Sequence, residues 1–274
     1  MSDTLLETLA SRPLFEPISG WLRFFGGDAP PHVAALNAAL AGLPSPPRAA
    51  SGMSVCFVLP EQESAGYEER VHARGEVETR PGNWHDFFNV LVWLTYPQSK
   101  RIFNNRHHAA LQAQCAAGCD ERGPVRDAIT QFDECGIVVV SASAVLIALL
   151  QAHEWKELFW RHRVQVAREM RFFVSGHATW DQLRAPFVGL TAKAVFLEVE
   201  MPWLEWPMPQ QVADVDVRLA ALFSQSHELV RRKHPKCWMV PADQRFRADD
   251  FAVPVDLGLQ AQRQFLAVDR LFEV

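Results

Sequence analysis

The sequence predicts an α+β fold that is mainly helical, with a few short strands in one compact domain. The chain of 274 residues is 49% hydrophobic and 22% charged, as expected for a globular domain with its own core. Long segments repeat apolar residues with the period of a helix, and only short runs are rich in β-branched residues. Residues that commonly begin and end helices flank several of the long segments.

Residues 1–52 are predicted to be an N-terminal extension that packs on a main domain of residues 53–274. The extension contains a short predicted helix, residues 32–41, followed by a proline-rich loop. The main domain begins with a predicted strand at residues 54–59. Residues 67–78 alternate loosely in polarity and are predicted to form an extended segment or a hairpin on the surface.

Three consecutive helices form the predicted centre of the domain. Asn83 is a suitable N-cap for the first helix, which is apolar almost all round and should therefore be buried. Pro97 begins the second helix and Gly118 ends it. Pro124 begins the third helix, which ends at Gly136.

The second half of the main domain is predicted to alternate short strands with helices. The predicted strands are residues 171–174 and 192–200, and residues 137–140 are either a short buried strand or the start of the next helix. The predicted helices are residues 142–152, 154–168, 177–183, 212–232 and 260–272, with a kink near His153.

Composition argues against two classes of partner. A net charge of −5 disfavours general affinity for nucleic acid or anionic membranes, and the one basic run, residues 231–236, is interpreted as a solvated helix end. The most apolar run, residues 137–150, is shorter than the roughly 20 residues that a membrane-spanning helix needs. We therefore predict a chain without a membrane span.

The five cysteines are predicted to be free thiols. Their number is odd, and a chain of this length does not need a disulfide framework. Cys115 and Cys119 are one helical turn apart, but no second Cys or His pair completes a zinc pattern. Reduced thiols together with an acidic N-terminus predict a cytoplasmic location.

Polar side chains interrupt the apolar pattern of the first central helix. His85 and Asn89 are one turn apart, and Asp86 lies beside them. An unpaired buried polar group costs roughly 1–3 kcal/mol, so these side chains need partners. Either they bind a ligand, or they cap the helix and satisfy nearby loop backbone.

The second and third helices each present a polar face. On the second, Arg101, Asn105, His108 and Gln112 share one face, which is either part of a pocket or exposed to solvent. The third helix ends with Asp133 and Glu134, where the helix dipole disfavours negative charge. That position requires a compensating cation, a metal ion or full solvation, and full solvation is the default interpretation.

Two later segments contain further histidines. His177 follows a strand and a glycine at a helix start, where backbone amides either hold an anion or form a capped turn. HEWKE, residues 153–157, lacks the second histidine of the HExxH zinc motif, because position 157 is glutamate. The sequence contains no GxGxxG, P-loop, GxSxG or EF-hand pattern.

Five motifs between about Tyr67 and Glu200 carry a family resemblance: NWHDFFN, FNNRHH, RDAITQFDECG, HEWKELFW and FFVSGHA. With them the chain resembles a bacterial family, found mostly in proteobacteria, that is catalogued only as a domain of unknown function. The resemblance implies no activity, cofactor or substrate. It implies that twelve residues belong to recurring motifs of the family: Trp84, His85, Asp86, Asn89, Asn105, His108, Arg126, Asp127, Asp133, Glu134, Gly176 and His177.

The predicted function is an acid–base enzyme of the hydrolase type that acts on a small polar or anionic substrate, with or without a metal ion. The alternative is a non-catalytic binding or scaffold domain whose buried polar network fixes helix packing. A small-molecule ligand is the expected partner, while the cofactor and the oligomeric state are undetermined. The predicted catalytic residues are His85, Asp86, His108, Asp133, Glu134 and His177. The predicted substrate-binding residues are Trp84, Asn89, Asn105, Arg126 and Asp127.

Overall fold

The computed structural model describes residues 3–61, 66–118, 123–187, 190–225 and 252–254. These residues form mainly helices together with two small sheets, which confirms the predicted mainly helical α+β class. The α-helices are α1 (Leu5–Ala10), α2 (Ser19–Phe25), α3 (Val33–Ala41), α4 (Tyr67–Arg74), α5 (Trp84–Thr95), α6 (Pro97–Ala116), α7 (Pro124–Cys135), α8 (Ala144–Gln151), α9 (Arg163–Glu169), α10 (His177–Leu183) and α11 (Met208–Ser224). Short 3-10 helices span Pro13–Ile18 and Met201–Glu205, and a π-helical turn spans Glu157–Arg161.

The strands are β1 (Cys56–Val58), β2 (Glu76–Glu78), β3 (Gly136–Ser141), β4 (Met170–Val174), β5 (Thr191–Glu198) and β6 (Ala252–Pro254). The first two pair in parallel. The other four form a sheet in the order β4-β3-β5-β6, in which β3 runs parallel to β5 and antiparallel to β4. Every residue of β3 is buried, as the β-branched run from Ile137 to Val140 predicts.

The N-terminal residues pack against the rest of the described chain. Leu6, Leu9 and Leu14 belong to the same apolar core as α5 and β3. The Arg12 guanidinium donates hydrogen bonds to the carbonyls of Leu183 and Arg184, at 3.1 and 3.0 Å. A domain division at residue 52 stays a prediction.

Helix α5 is central and begins as the sequence predicts. The Asn83 side chain accepts a hydrogen bond from the Asp86 backbone N–H, at 3.0 Å, and residues 86–95 are all buried. The Asp86 carboxylate does not complete a capping box. It binds the backbone N–H and the guanidinium of Arg80 instead, each at 2.8 Å.

The prediction that residues 67–78 are extended is wrong for residues 67–74, which form α4. Glu68 and Glu69 lie in its first turn, and His72 and Arg74 in its last, so both helix ends carry the charge that the dipole favours. Gly75 ends the helix at φ 73°, and a Cβ there would lie 2.2 Å from a backbone oxygen. Residues 67–74 therefore form a short amphipathic helix in spite of their loose polar alternation.

Most other predicted elements agree with the structure to within a few residues, while the helix predicted at 212–232 begins at Met208 and its residues 226–232 lie outside the described residues. His153 adopts φ 57° at the expected kink, and Pro97, Gly118 and Pro124 lie at helix ends as expected. The basic run at 231–236, the helix at 260–272, Cys119 and Cys237 lie outside the described residues. Cys56, Cys115 and Cys135 are free. None of the helices described here combines the length and the hydropathy needed to span a bilayer.

The junctions of α7 with β3 and of β4 with α10 lie side by side. Because β3 and β4 are antiparallel, the start of β3 adjoins the end of β4, and Ile137 pairs with Val174. The N–H groups of Ser175 and Gly176 both donate to the Gly136 carbonyl, at 3.0 and 2.8 Å. The last turn of α7 is thereby held against the first turn of α10.

Candidate metal centre

A cavity of about 230 Å³ opens where α4, α5, α6, α7 and α10 meet. Its volume is below that of pockets for drug-sized ligands, so it fits a small ligand. Six predicted site residues line it: His85, Asp86, Asn89, Asp133, Glu134 and His177. The remaining lining residues are Tyr67, Glu68, Glu78, Arg80, His107 and Thr130.

Three of these side chains converge on one point. His85, Glu134 and His177 each offer a ligand atom, and the three atoms lie within 4.8 Å of one another. The Glu134 Oε2 atom is 3.3 Å from His177 Nε2 and 3.7 Å from His85 Nε2. The two imidazole rings meet edge to face, with centroids 4.5 Å apart.

Three separate elements supply this cluster. His85 lies in the first turn of α5, Glu134 in the last turn of α7, and His177 is the first residue of α10. The β3–β4 pairing brings Glu134 beside His177, and the packing of α5 on α10 adds His85. His177 is buried, whereas the side chains of His85 and Glu134 are about one-third exposed, so the cluster opens towards solvent.

The hydrogen bond of the His177 Nδ1 atom fixes that nitrogen in its protonated form. His177 Nδ1 lies 2.8 Å from the Asp133 backbone carbonyl. A carbonyl only accepts hydrogen bonds, so Nδ1 carries the proton. In the neutral ring Nε2 then has a lone pair, and it faces the Glu134 carboxylate. Two acceptors 3.3 Å apart repel each other unless a proton or a metal cation lies between them.

Burial and neighbouring charges shift the pKa values of His85 and Glu134, the two partly exposed members of the cluster. Desolvation, followed by the nearby His177, lowers the pKa of His85, so its imidazole is neutral at pH 7. Desolvation alone would raise the pKa of Glu134, but a proton on His177 Nε2 donates a hydrogen bond to the carboxylate and adds a positive charge, which together hold that pKa below its usual value. A neutral imidazole and an ionised carboxylate are the forms that bind metal ions.

The neighbouring carboxylates are already neutralised. Lys100 Nζ lies 2.7 Å from both oxygens of Asp133, and Lys100 itself is buried. This pair corrects the expectation that Asp133 is fully solvated at its helix end: Lys100 is the compensating cation that the dipole argument required. Arg80 holds Asp86 in the same way through two parallel hydrogen bonds.

Five predicted site residues are not among the residues that line the cavity. The Trp84 ring packs on Phe87 and Phe88, under the guanidinium of Arg184. Arg126 and Asp127 lie about two turns of α7 away from Glu134, roughly 10–12 Å along the helix axis. Arg126 donates to Gln114 instead, at 3.0 Å.

Asn105 and His108 lie on the polar face of α6 for which both a pocket wall and exposure to solvent were expected alternatives, and neither residue lines the cavity. Asn105 is exposed, and the His108 ring stacks on His72 with centroids 3.7 Å apart. The buried face of α6 instead carries Lys100, Asn104 and His107. Phe103 signals this face in the sequence, because positions 100, 103, 104 and 107 form one helical stripe.

Tyr67 and Glu68 were missed because residues 67–74 were predicted to be extended. In α4 the Tyr67 hydroxyl accepts a hydrogen bond from Asn89 Nδ2, at 3.0 Å. Asn104 Nδ2 donates to the backbone carbonyl and to the carboxylate of Glu68, at 2.9 and 2.8 Å. No sequence pattern would have joined these residues to His85, because their contacts depend on how α4 packs on α5 and α6.

Comparison with known proteins identifies the family of the chain but no characterised relative. No curated protein and no solved structure matches it. One family model, described as "Protein of unknown function (DUF3025)", matches residues 55–237. The matched segment contains His85, Glu134, His177 and the rest of the cavity lining. Since the match covers about two-thirds of the sequence, the chain belongs to the DUF3025 family.

Proposed function

We propose that His85, Glu134 and His177 bind a divalent transition-metal ion, and that the protein is a metal-assisted hydrolase for a small polar substrate. The observation that carries the proposal is the approach of two imidazoles and one carboxylate, with His177 Nε2 lying 3.3 Å from the Glu134 carboxylate. Mixed nitrogen and oxygen ligands favour zinc, manganese or iron over calcium and magnesium, which prefer oxygen alone.

The distances support a shared ion. Zinc binds imidazole nitrogen and carboxylate oxygen at about 2.0–2.2 Å, so two ligand atoms at a tetrahedral angle lie about 3.3 Å apart. The Glu134 oxygen is 3.3 and 3.7 Å from the two histidine nitrogens. The Nδ1 hydrogen bond of His177 to a backbone carbonyl is also the second contact that orients most metal-binding histidines.

Three protein ligands with solvent access leave a coordination position open, as in catalytic zinc sites. A bound divalent ion supplies the Lewis acidity that makes a water molecule nucleophilic near neutral pH. The chain's own residues then have defined tasks: Lys100 and Arg80 keep Asp133 and Asp86 in place, and the cavity walls limit the substrate to a small molecule.

Elemental analysis of protein purified without a histidine tag tests the metal. We expect about one equivalent of zinc, manganese or iron per chain, and its loss in His177→Asn and Glu134→Gln. His108→Asn is the matched control, because His108 lies outside the cavity. A metal at one hundred times its Kd stabilises the fold by about 2.7 kcal/mol, which raises the Tm by about 5–11 °C.

Less than about a tenth of an equivalent, together with no thermal shift on adding zinc or manganese, would contradict the metal. The acid–base site without a metal would then remain, with a proton between His177 and Glu134 and with His85 as the neutral base. Hydrolase activity is tested separately, by screening the metal-loaded protein on ester, amide and phosphate substrates with Glu134→Gln as the inactive control.

The second candidate is a non-catalytic scaffold, and the ion pairs of the cavity favour it. Lys100–Asp133 joins α6 to α7 through a buried lysine, and Arg80–Asp86 ties the loop before α5 to the first turn of α5 through an arginine that is 55% exposed. If His85 is part of such a network, His85→Ala lowers the Tm of the metal-free protein by several degrees. If it serves a catalytic site, the Tm of the metal-free variant stays near wild type while activity is lost. The free thiols of the described cysteines support a reducing compartment such as the cytoplasm.

A further inference from the structure

The cavity next to the metal cluster is dominated by carboxylates. Glu68, Glu78, Asp86, Asp133 and Glu134 all line it, whereas Arg80 is the one lysine or arginine among the lining residues. Arg80 is bound to Asp86, and its charge is therefore already matched. Lys100 and Arg70 neutralise Asp133 and Glu78 from outside the lining. Three of the five lining carboxylates are therefore matched by cations, and Glu68 and Glu134 remain.

Glu68 differs from the other four carboxylates. Asp86, Asp133 and Glu78 pair with arginine or lysine, and Glu134 belongs to the metal cluster. In the part of the chain that the structure describes, no lysine or arginine pairs with Glu68. Its carboxylate accepts one hydrogen bond from the Asn104 amide and lies 3.9 Å from His107 Nε2.

Glu68 is held firmly and still reaches the cavity. Asn104 is buried and binds both the backbone carbonyl and the carboxylate of Glu68, which fixes the side-chain rotamer. The Glu68 side chain is 27% exposed. A carboxylate accepts several hydrogen bonds, so the contact with Asn104 leaves capacity for a ligand.

Asn89 gives an independent indication of a ligand with N–H groups. This side chain lines the cavity and is more than nine-tenths buried, at 8% exposure. Its amide nitrogen donates to Tyr67, but its Oδ1 atom accepts no hydrogen bond from the described residues. A buried acceptor without a donor costs roughly 1–3 kcal/mol, which a donor group on a ligand would recover.

Tyr67 adds an aromatic surface beside both acceptors. It lines the main cavity together with Glu68 and Asn89, and 39% of the residue is exposed. A cation within about 6 Å of the face of an aromatic ring is attracted by its quadrupole. A fixed carboxylate, an unused amide oxygen and an aromatic ring together match a cationic nitrogen group.

We propose that the substrate carries a positively charged nitrogen group, a guanidinium or an ammonium, and that Glu68 binds this group. The inference deepens the proposed function and rests on it, because the reacting part of the same molecule would lie at the His85, Glu134 and His177 cluster. Glu68 is then the residue that determines substrate specificity, and it takes no part in metal binding.

Two small probes test the charge preference directly. Methylguanidinium is permanently charged, and methylurea is its neutral counterpart of nearly the same shape. Saturation-transfer NMR on the protein as purified should show methylguanidinium binding at least ten times more tightly than methylurea. The comparison within the wild-type protein does not depend on how any variant folds.

Glu68→Gln should abolish this preference, with methylguanidinium then binding no more tightly than methylurea. Glu69→Gln is the matched control, because Glu69 is the adjacent exposed residue of α4 and does not line the cavity. Equal binding of the two probes by the wild-type protein, or an unchanged preference in Glu68→Gln, would overturn the proposal.

Metal content measured on the same samples separates the two proposals. About one equivalent of metal in the wild type and in both glutamine variants, without a charge preference, overturns only the role of Glu68. A charge preference that depends on Glu68, in protein that neither contains nor binds metal, supports the cationic subsite and overturns the metal-assisted function.

Discussion

Replacing Gly176 by alanine should disrupt the candidate metal centre, although Gly176 has no side chain and is not one of the three candidate ligands. A Cβ at residue 176 would lie 2.4 Å from the carbonyl oxygen of Glu134 and 2.4 Å from the backbone nitrogen of Gly136. Ordinary contacts of a Cβ begin at 3.4 Å, so the backbone segments must separate by about 1 Å. This separation falls between Glu134 and His177, since residue 176 immediately precedes the histidine.

The expected cost follows from overpacking against backbone atoms. Forced shifts of this kind destabilise proteins by about 1–3 kcal/mol, or by about 2–12 °C in Tm for a chain of this size. Metal affinity should fall at least tenfold, because His177 and Glu134 no longer share one ion. Gly20→Ala is the matched control: nothing lies within 4 Å of its Cβ, and alanine favours helix α2 by up to about 1 kcal/mol.

Thermal unfolding and metal titration of the two variants provide the measurement. The reasoning predicts opposite signs for them, with Gly176→Ala less stable and Gly20→Ala equal to or more stable than the wild type. A Gly176→Ala protein with the Tm and the metal content of the wild type would refute the close approach of α10 to the end of α7.

Two further predictions concern ion pairs. Lys100→Met leaves the Asp133 carboxylate without its buried cation and should lower the free energy of unfolding, measured in urea, by about 3–5 kcal/mol. Arg218→Ala breaks an exposed pair and should lower it by less than about 1 kcal/mol. Equal losses in the two variants would show that the pair with Asp133 is not buried. Desolvation opposes ionisation of Asp86, but the hydrogen bonds from Arg80 outweigh it and lower the pKa of the carboxyl in the folded protein. The ionised carboxylate therefore stabilises the fold at pH values above 3.8, the pKa of the group in the unfolded chain, and this contribution is lost as the pH falls through the lower pKa of the folded state. Asp86→Asn should therefore lower the free energy of unfolding at pH 7 by roughly 1–3 kcal/mol, and this loss relative to wild type should shrink below pH 3.8. A loss that stays constant with pH would contradict the ion pair between Arg80 and Asp86.

Local patterns in the sequence were sufficient for most secondary structure. Asn83, Pro97 and Pro124 mark helix starts through their capping and backbone chemistry, which depends on neighbours a few residues away. The same local reasoning failed for residues 67–74, where charge at the ends of a short helix outweighed a weak alternation. It also did not identify the buried face of α6, which carries Lys100, Asn104 and His107 beside Phe103 and lies one residue away from the polar face at Asn105 and His108.

The sequence by itself determined that His85, Glu134 and His177 lie at helix ends, next to buried elements, where polar side chains need partners. It could not determine that they are partners of one another. Forty-nine residues separate His85 from Glu134, and forty-three separate Glu134 from His177, so no helical or strand period relates them. Their meeting depends on the antiparallel register of β3 with β4 and on the packing of α5 against α10. Periodicity in the sequence specifies which face of a helix or strand is buried, whereas only the tertiary structure specifies which neighbouring element that face contacts.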